Sequence, residues 1–163
     1  MTPRGARLAD EFADSGKHGL TFSISGRDAH LRAFDVSLRI DGTQALVDSP
    51  WGRLELVLPT VGQHNVANAL TTIGMLVLAG YDPHHAARSL AGVQVAAGRL
   101  ERVDGPIPVF VDYAHTPDAL DNVCRALRPL TQGRLIVVFG AGGDRDPGTV
   151  SYTHLTLPTI LRV

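Results

Sequence analysis

The hydrophobic period of this chain changes twice, and that change constrains the fold more than any other feature. From Gly19 to Leu58 apolar residues tend to alternate with polar ones, the signature of strands with one wet face. Thr21-Phe-Ser-Ile-Ser25 alternates. Phe34-Asp-Val-Ser-Leu-Arg-Ile40 alternates more clearly and puts Phe34, Val36, Leu38 and Ile40 on one expected face. Asp41-Gly42 is a tight-turn signal, and Leu54-Glu-Leu-Val-Leu58 follows Pro50-Trp-Gly52. These segments predict a small antiparallel β unit.

The pattern then becomes helical. From Asn65 to Leu78 a broad apolar band carries Val66, Leu70, Ile73, Met75, Leu76 and Val77, and Gly80 supplies a stop. Asp82-Pro83 predicts a second helix, to about Leu90, with Asp as cap and Pro in the first turn. Small residues at Ala96-Ala-Gly98 mark a domain junction. From Arg99 onward the order reads strand, helix, strand, glycine loop, the opening of a parallel α/β domain. The expected class is α/β. Residues 1–97 form one partial domain, 98–148 open a second, and 149–163 stand apart.

Composition narrows the function. Apolar residues at 44% and charged residues at 19% describe a globular chain. A net charge of −1, with scattered arginines, offers no electrostatic case for nucleic acid or an anionic membrane. One cysteine, Cys124, excludes an intrachain disulfide framework and reads as a small buried helix residue. No signal peptide opens the chain, and Gly74–Gly80 is far shorter than the roughly 20 residues that span a bilayer. The expected location is the cytoplasm.

Chemistry concentrates at two strand ends. Ile107-Pro-Val-Phe-Val111 runs into Asp112-Tyr-Ala-His-Thr-Pro-Asp118, and Arg134-Leu-Ile-Val-Val-Phe139 runs into Gly140-Ala-Gly-Gly-Asp-Arg-Asp146. Ligands of open α/β sheets bind at the carboxyl ends of strands. Carboxylates, a histidine, an arginine and glycines at such ends point to a nucleotide or phosphate site. Thr116 reads as the cap of the following helix, with Pro117 and Asp118 suiting its first turn. Asp112 could accept from ribose hydroxyls, and His115 could donate to a phosphate. Asn65 and Asn68 share a helix face, where their amides could serve either a base edge or simply cap and solvate. Arg99 is either a solvated surface cation or a phosphate ligand with a planar fork of donors. Asp112 and His115 are too few for a metal site, and the adjacent His84 and His85 point to different helix faces.

Four segments, in order, resemble the Mur ligases: Gly62-Gln-His-Asn-Val-Ala-Asn68, Gly98-Arg-Leu-Glu101, Asp112-Tyr-Ala-His-Thr-Pro-Asp118 and Phe139-Gly-Ala-Gly-Gly-Asp-Arg-Asp146. The resemblance covers roughly residues 19 to 148. It implies the end of a central ATPase domain followed by the opening βαβ of a Rossmann-like C-terminal domain. The implied activity is that of an ATP-dependent acid–amino-acid ligase. It would add the third residue to a UDP-MurNAc-dipeptide through an acyl phosphate, in peptidoglycan and cell-wall biosynthesis that serves cell shape and division. The implied cofactors are ATP and Mg²⁺; the implied partners are the UDP-MurNAc-peptide and an amino acid.

By the same resemblance, Asn65, Asn68, Arg99, Asp112 and His115 bind the nucleotide. His64 stands where the family often has Phe, Glu101 reads as structural, and Asp144 and Arg145 lie at the cleft without an assigned part. No catalytic or metal residue is assigned. The family's Gly-Lys-Thr/Ser phosphate loop is not in this sequence, whose single lysine is Lys17 in Gly16-Lys-His18. The chain is therefore expected to be an inactive fragment. Alternatives are a folylpolyglutamate- or cyanophycin-synthetase-like ligase fragment, or a non-catalytic nucleotide-binding module. The tail Val150-Ser-Tyr-Thr-His-Leu-Thr-Leu-Pro-Thr159 resembles a translated sequencing-library adapter, so 149–163 is read as non-native.

Overall fold

A computed structural model of the chain describes residues 19–138. The expectations for Asp144, Arg145 and the 149–163 tail lie outside those residues. The chain divides into two compact units, at Val95/Ala96.

The first unit contains a four-stranded sheet in the order β1 (Phe22–Ser23), β2 (Leu31–Arg39), β3 (Gly42–Ser49), β4 (Gly52–Leu58). The β2–β3–β4 meander is antiparallel, as the alternation predicts, whereas the two-residue β1 pairs parallel to β2. Two-residue turns join the long strands, with Arg39 opposite Gly42 and Ser49 opposite Gly52. Gly42 is required for space as well as for its turn: a Cβ there would run into the Leu58 carbonyl.

One face of the meander is apolar in cross-strand rows. Ala33, Val47 and Leu54 lie side by side, as do Ala45 and Leu56, and all five are buried. The opposite face carries Asp48 between Arg32 and Arg53, at 3.1 and 3.5 Å. The expected face of Phe34, Val36, Leu38 and Ile40 is broken at its start. Asp35 has φ 48°, and the register shifts between Phe34 and Ser37. One extra residue reverses the side-chain alternation. Leu31, Ala33 and Val36 therefore reach the core, while Phe34 sits beneath the Arg53 guanidinium, 5.0 Å from its ring centroid.

Helix α1 (Gln63–Leu78) covers the apolar face with Val66, Ala69, Leu70 and Ile73. Each fully buried large side chain there contributes about 1.5–3 kcal/mol. Met75, expected in the band, is instead 62% exposed. It falls two positions past Ile73, about 200° around the helix. Asp82 caps α2 (Pro83–Ser89) through a 2.7 Å bond from the His85 N–H, and Pro83 sits in its first turn, as predicted. A 3₁₀ turn, Leu90–Gly92, follows.

The second unit opens with an antiparallel pair, β5 (Glu101–Val103) and β6 (Val109–Val111). Helix α3 (Pro117–Leu127) follows, capped by Thr116 as predicted, with Asp118 in its first turn. The strand expected at 134–139 is not formed over 134–138. Apolar composition fits that segment for a buried strand, but a ladder needs a neighbour, and among the described residues it has none. Among the described residues, strand and helix are thus present without the parallel partner of a βαβ unit.

Candidate functional site

In the first unit, His64, Asn65 and Asn68 occupy the first turns of α1. The helix starts two residues earlier than the apolar pattern implied, because Gly62 at φ 113° is the N-cap and Asn65 is already inside. No side chain caps this end, and no acid occupies its first turn. The Asn65 amide nitrogen donates to the Val61 carbonyl at 2.9 Å, which anchors it to the loop from β4. Its oxygen faces the Asn68 amide nitrogen at 3.4 Å. The two amides do share a face, and Asn68 and His64 are exposed.

In the second unit, the other three predicted residues come together at one corner. Gly98, at φ 68°, turns the chain, and its carbonyl accepts from the Tyr113 N–H at 2.7 Å. The Glu101 carboxylate accepts from the Gly98 N–H at 2.8 Å, so its role here is structural. Asp112 accepts from the Leu100 N–H at 2.8 Å and from the Ala114 N–H at 2.7 Å. These bonds bring the Gly98–Glu101 turn against the end of β6.

The outcome is a layered group of side chains. The Arg99 guanidinium lies 6.0 Å from the centroid of the Tyr113 ring, within cation–π range. The His115 ring meets Tyr113 edge-on, with centroids 5.1 Å apart. His115 Nδ1 sits 2.9 Å from the Tyr113 carbonyl, an acceptor only, so Nδ1 carries the proton. Nε2 is then an acceptor in the neutral ring and a donor only in the imidazolium. Tyr113 was not singled out from the sequence. Its place between a strand end and a helix-starting Thr-Pro was the signal, since a side chain there is held at the rim of a sheet.

A cavity of about 470 Å³ opens beside this corner, lined by Asp112, His115 and the apolar side of α3, including Leu120, Val123 and Cys124. Burial pushes the Cys124 thiol above its ordinary range, and the nearby Asp121 carboxylate adds to the shift. Among the described residues, no three histidine, cysteine or acidic side chains gather as a metal's ligands.

Two family profiles match this chain: the Mur ligase middle domain over residues 1–76, and the Mur ligase glutamate ligase domain over 98–158. The chain belongs to the Mur ligase family. The second match extends into the segment read above as non-native.

Several curated Mur ligases align along most of the chain. The UDP-N-acetylmuramoyl-L-alanyl-D-glutamate–2,6-diaminopimelate ligase of Ralstonia nicotianae is 43% identical over 150 residues, 88% of this chain and 29% of that protein. The Streptomyces coelicolor enzyme of the same name is 45% identical over 146 residues, 87% of this chain and 28% of that protein. The chain thus spans under a third of these relatives. A solved diaminopimelate ligase of this name superposes with a TM-score of 0.69 at 30% identity, over 86% of this chain and 30% of that one. Folylpolyglutamate synthetase from Lactobacillus casei superposes at 0.71 over 98% of this chain and 40% of that one; at 20% identity it shows the shared fold alone.

Proposed function

We propose that this Mur ligase chain is part of an ATP-dependent ligase that joins diaminopimelate to a UDP-MurNAc-dipeptide. The observation that carries the reading is 43–45% identity to ligases of that name along nearly nine-tenths of the chain. Folylpolyglutamate synthetase shares the fold at 20% identity and gives that alternative no comparable support.

In the proposed reaction, the peptide carboxylate takes the γ-phosphoryl group of ATP and releases ADP. The amino-acid amine then displaces phosphate from the acyl phosphate. The residues of this chain hold and orient. Arg99, braced by Tyr113, presents forked donors suited to phosphate oxygens. His115, with Nδ1 committed to the Tyr113 carbonyl, offers Nε2 to a phosphate in its imidazolium form. Asn68 and Asn65 present one amide face, which fits the donor–acceptor edge of a purine. When bound, Mg²⁺ would neutralise phosphate charge; the described residues do not supply its ligand shell.

No Gly-Lys-Ser/Thr sequence is present to cradle the β- and γ-phosphates. The purified 163-residue chain, given ATP, UDP-MurNAc-L-Ala-D-Glu and diaminopimelate, is expected to form no product. The full-length parent is expected to form it, releasing ADP and phosphate in equal amounts. A parent that accepts lysine or glutamate in preference to diaminopimelate would overturn the substrate; product from the 163-residue chain would overturn the expected inactivity.

A further inference from the structure

Arg99 carries the charge that the proposed function places on phosphate, and its backbone is held in an unusual way. The residues on either side both have left-handed backbones, Gly98 at φ 68° and Leu100 at φ 48°. For leucine that conformation is rare, and it persists only where the surroundings over-determine it. Arg99 itself is exposed, with its guanidinium 6.0 Å from the Tyr113 ring centroid. A cation–π contact at an exposed site is weak, too weak to fix so long a side chain by itself. The aim of the guanidinium therefore depends on the turn beneath it.

Glu101 closes that turn. Its Oε2 reaches back three residues to accept from the Gly98 N–H at 2.8 Å, in a half-buried setting. The Arg99 N–H donates to the Ala96 carbonyl at 3.1 Å, and the Gly98 carbonyl accepts from the Tyr113 N–H at 2.7 Å. Gly98 is thereby tied to the residue whose ring Arg99 faces, so both halves of the cation–π pair share one hydrogen-bonded frame. A carboxylate two positions from a phosphate-binding arginine would, if free, compete with phosphate for it. Among the described residues no ion pair joins Glu101 to Arg99. A backbone amide engages the carboxylate instead.

We propose that Glu101 is a positioning residue for Arg99. By holding the Gly98 amide it keeps the guanidinium aimed over Tyr113, and it touches neither nucleotide nor metal itself. The proposal rests on the reading of Arg99 as a phosphate ligand and adds the source of that arginine's orientation. A role through reach is separable from a role through charge. Glu101→Gln keeps the length and an acceptor oxygen but drops the charge. Glu101→Asp keeps the charge but is one methylene too short to reach Gly98.

The test uses the full-length parent with Glu101→Gln, Glu101→Asp and Glu101→Ala. Calorimetry measures binding of a non-hydrolysable ATP analogue. Ligand-observed NMR measures binding of adenosine, which has no phosphate for Arg99 to hold. Amide exchange at Gly98, and the ring-current shift that Tyr113 imposes on the Arg99 side chain, are measured without nucleotide. Asp and Ala are expected to weaken the ATP analogue by about tenfold, the scale of a lost charge-assisted hydrogen bond, and to quicken Gly98 exchange by a similar factor. They should also lose the ring-current shift, while adenosine binding stays as in the parent. Gln should keep the shift and bind the analogue within about threefold of the parent, since a neutral acceptor retains about half of such a bond's strength. Adding Glu101→Ala to Arg99→Ala should cost less than about threefold more, because the two act as one unit.

Gln as poor as Ala, with Asp matching the parent, would overturn the proposal, because charge and not reach would then be at work. Analogue binding unchanged in both Asp and Ala would overturn it too. So would equal weakening of analogue and adenosine, the mark of a general loss of structure. Should Glu101→Ala fail to fold, Asp carries the same decision. If the unaltered parent binds no ATP analogue, the ATP reading fails by itself, while Gly98 exchange and the Arg99 ring-current shift still decide whether Glu101 aims the arginine.

Discussion

Helix α1 carries two apolar residues with opposite fates, and truncating each tests the packing of the first unit. Leu70 is fully buried against the sheet, whereas Met75, five residues on, is 62% exposed. Leu70→Ala removes three buried carbons, a transfer loss of about 2.4 kcal/mol at roughly 0.8 kcal/mol per group. The cavity left in the shared core raises the expected cost to about 3–4 kcal/mol. Met75→Ala removes mostly solvated atoms and should lie within about 0.5 kcal/mol of the parent chain. Urea unfolding followed through Trp51 reports this unit, because Trp51 is the only tryptophan and packs against the same core. With a slope of about 2 kcal/mol per molar, Leu70→Ala should lower the midpoint by about 1.5–2 M and Met75→Ala by less than about 0.3 M. Equal shifts for the two variants would mean that α1 does not present this face to the sheet.

In the full-length parent, Arg99→Ala should lower kcat/KM by about 10² or more, and Arg99→Lys should recover only part of it, because an ammonium lacks the planar fork. Turnover unchanged in a folded Ala variant would remove Arg99 from the site. The raised Cys124 pKa predicts slow alkylation by iodoacetamide at pH 8 in the folded chain and faster alkylation in urea. The sign for stability follows: the folded state holds the thiol proton more tightly, so the stabilisation is full below the unfolded pKa and is lost as pH rises through the folded one. Alkylation equally fast in both states would refute the burial argument.

Much of this chain is readable without a structure where the signal is local. Asp82 and Thr116, each followed by proline, announce their caps because the capping bond spans only three residues. Leu54, Leu56 and Leu58 announce a half-buried strand because alternation alone selects a face. The Asp-Tyr-Ala-His-Thr-Pro-Asp segment, with its companions, announces a family. Even the β5–β6 hairpin has a local sign in Asp104-Gly105, a turn pair ahead of the apolar run Ile107–Val111.

What only the tertiary structure decided depends on partners distant in sequence or on a one-residue change of phase. The bulge at Asp35 reverses which side of β2 faces inward, and no period count across Phe34 and Val36 reveals it. Met75 and Ile73 look alike in composition, but only the sheet beneath α1 distinguishes them. That both Asp112 oxygens accept from backbone amides, one of them on Leu100 twelve residues away, is seen only in the folded chain. A sequence states which groups can form hydrogen bonds; which backbone amides reach them is settled when the chain closes on itself.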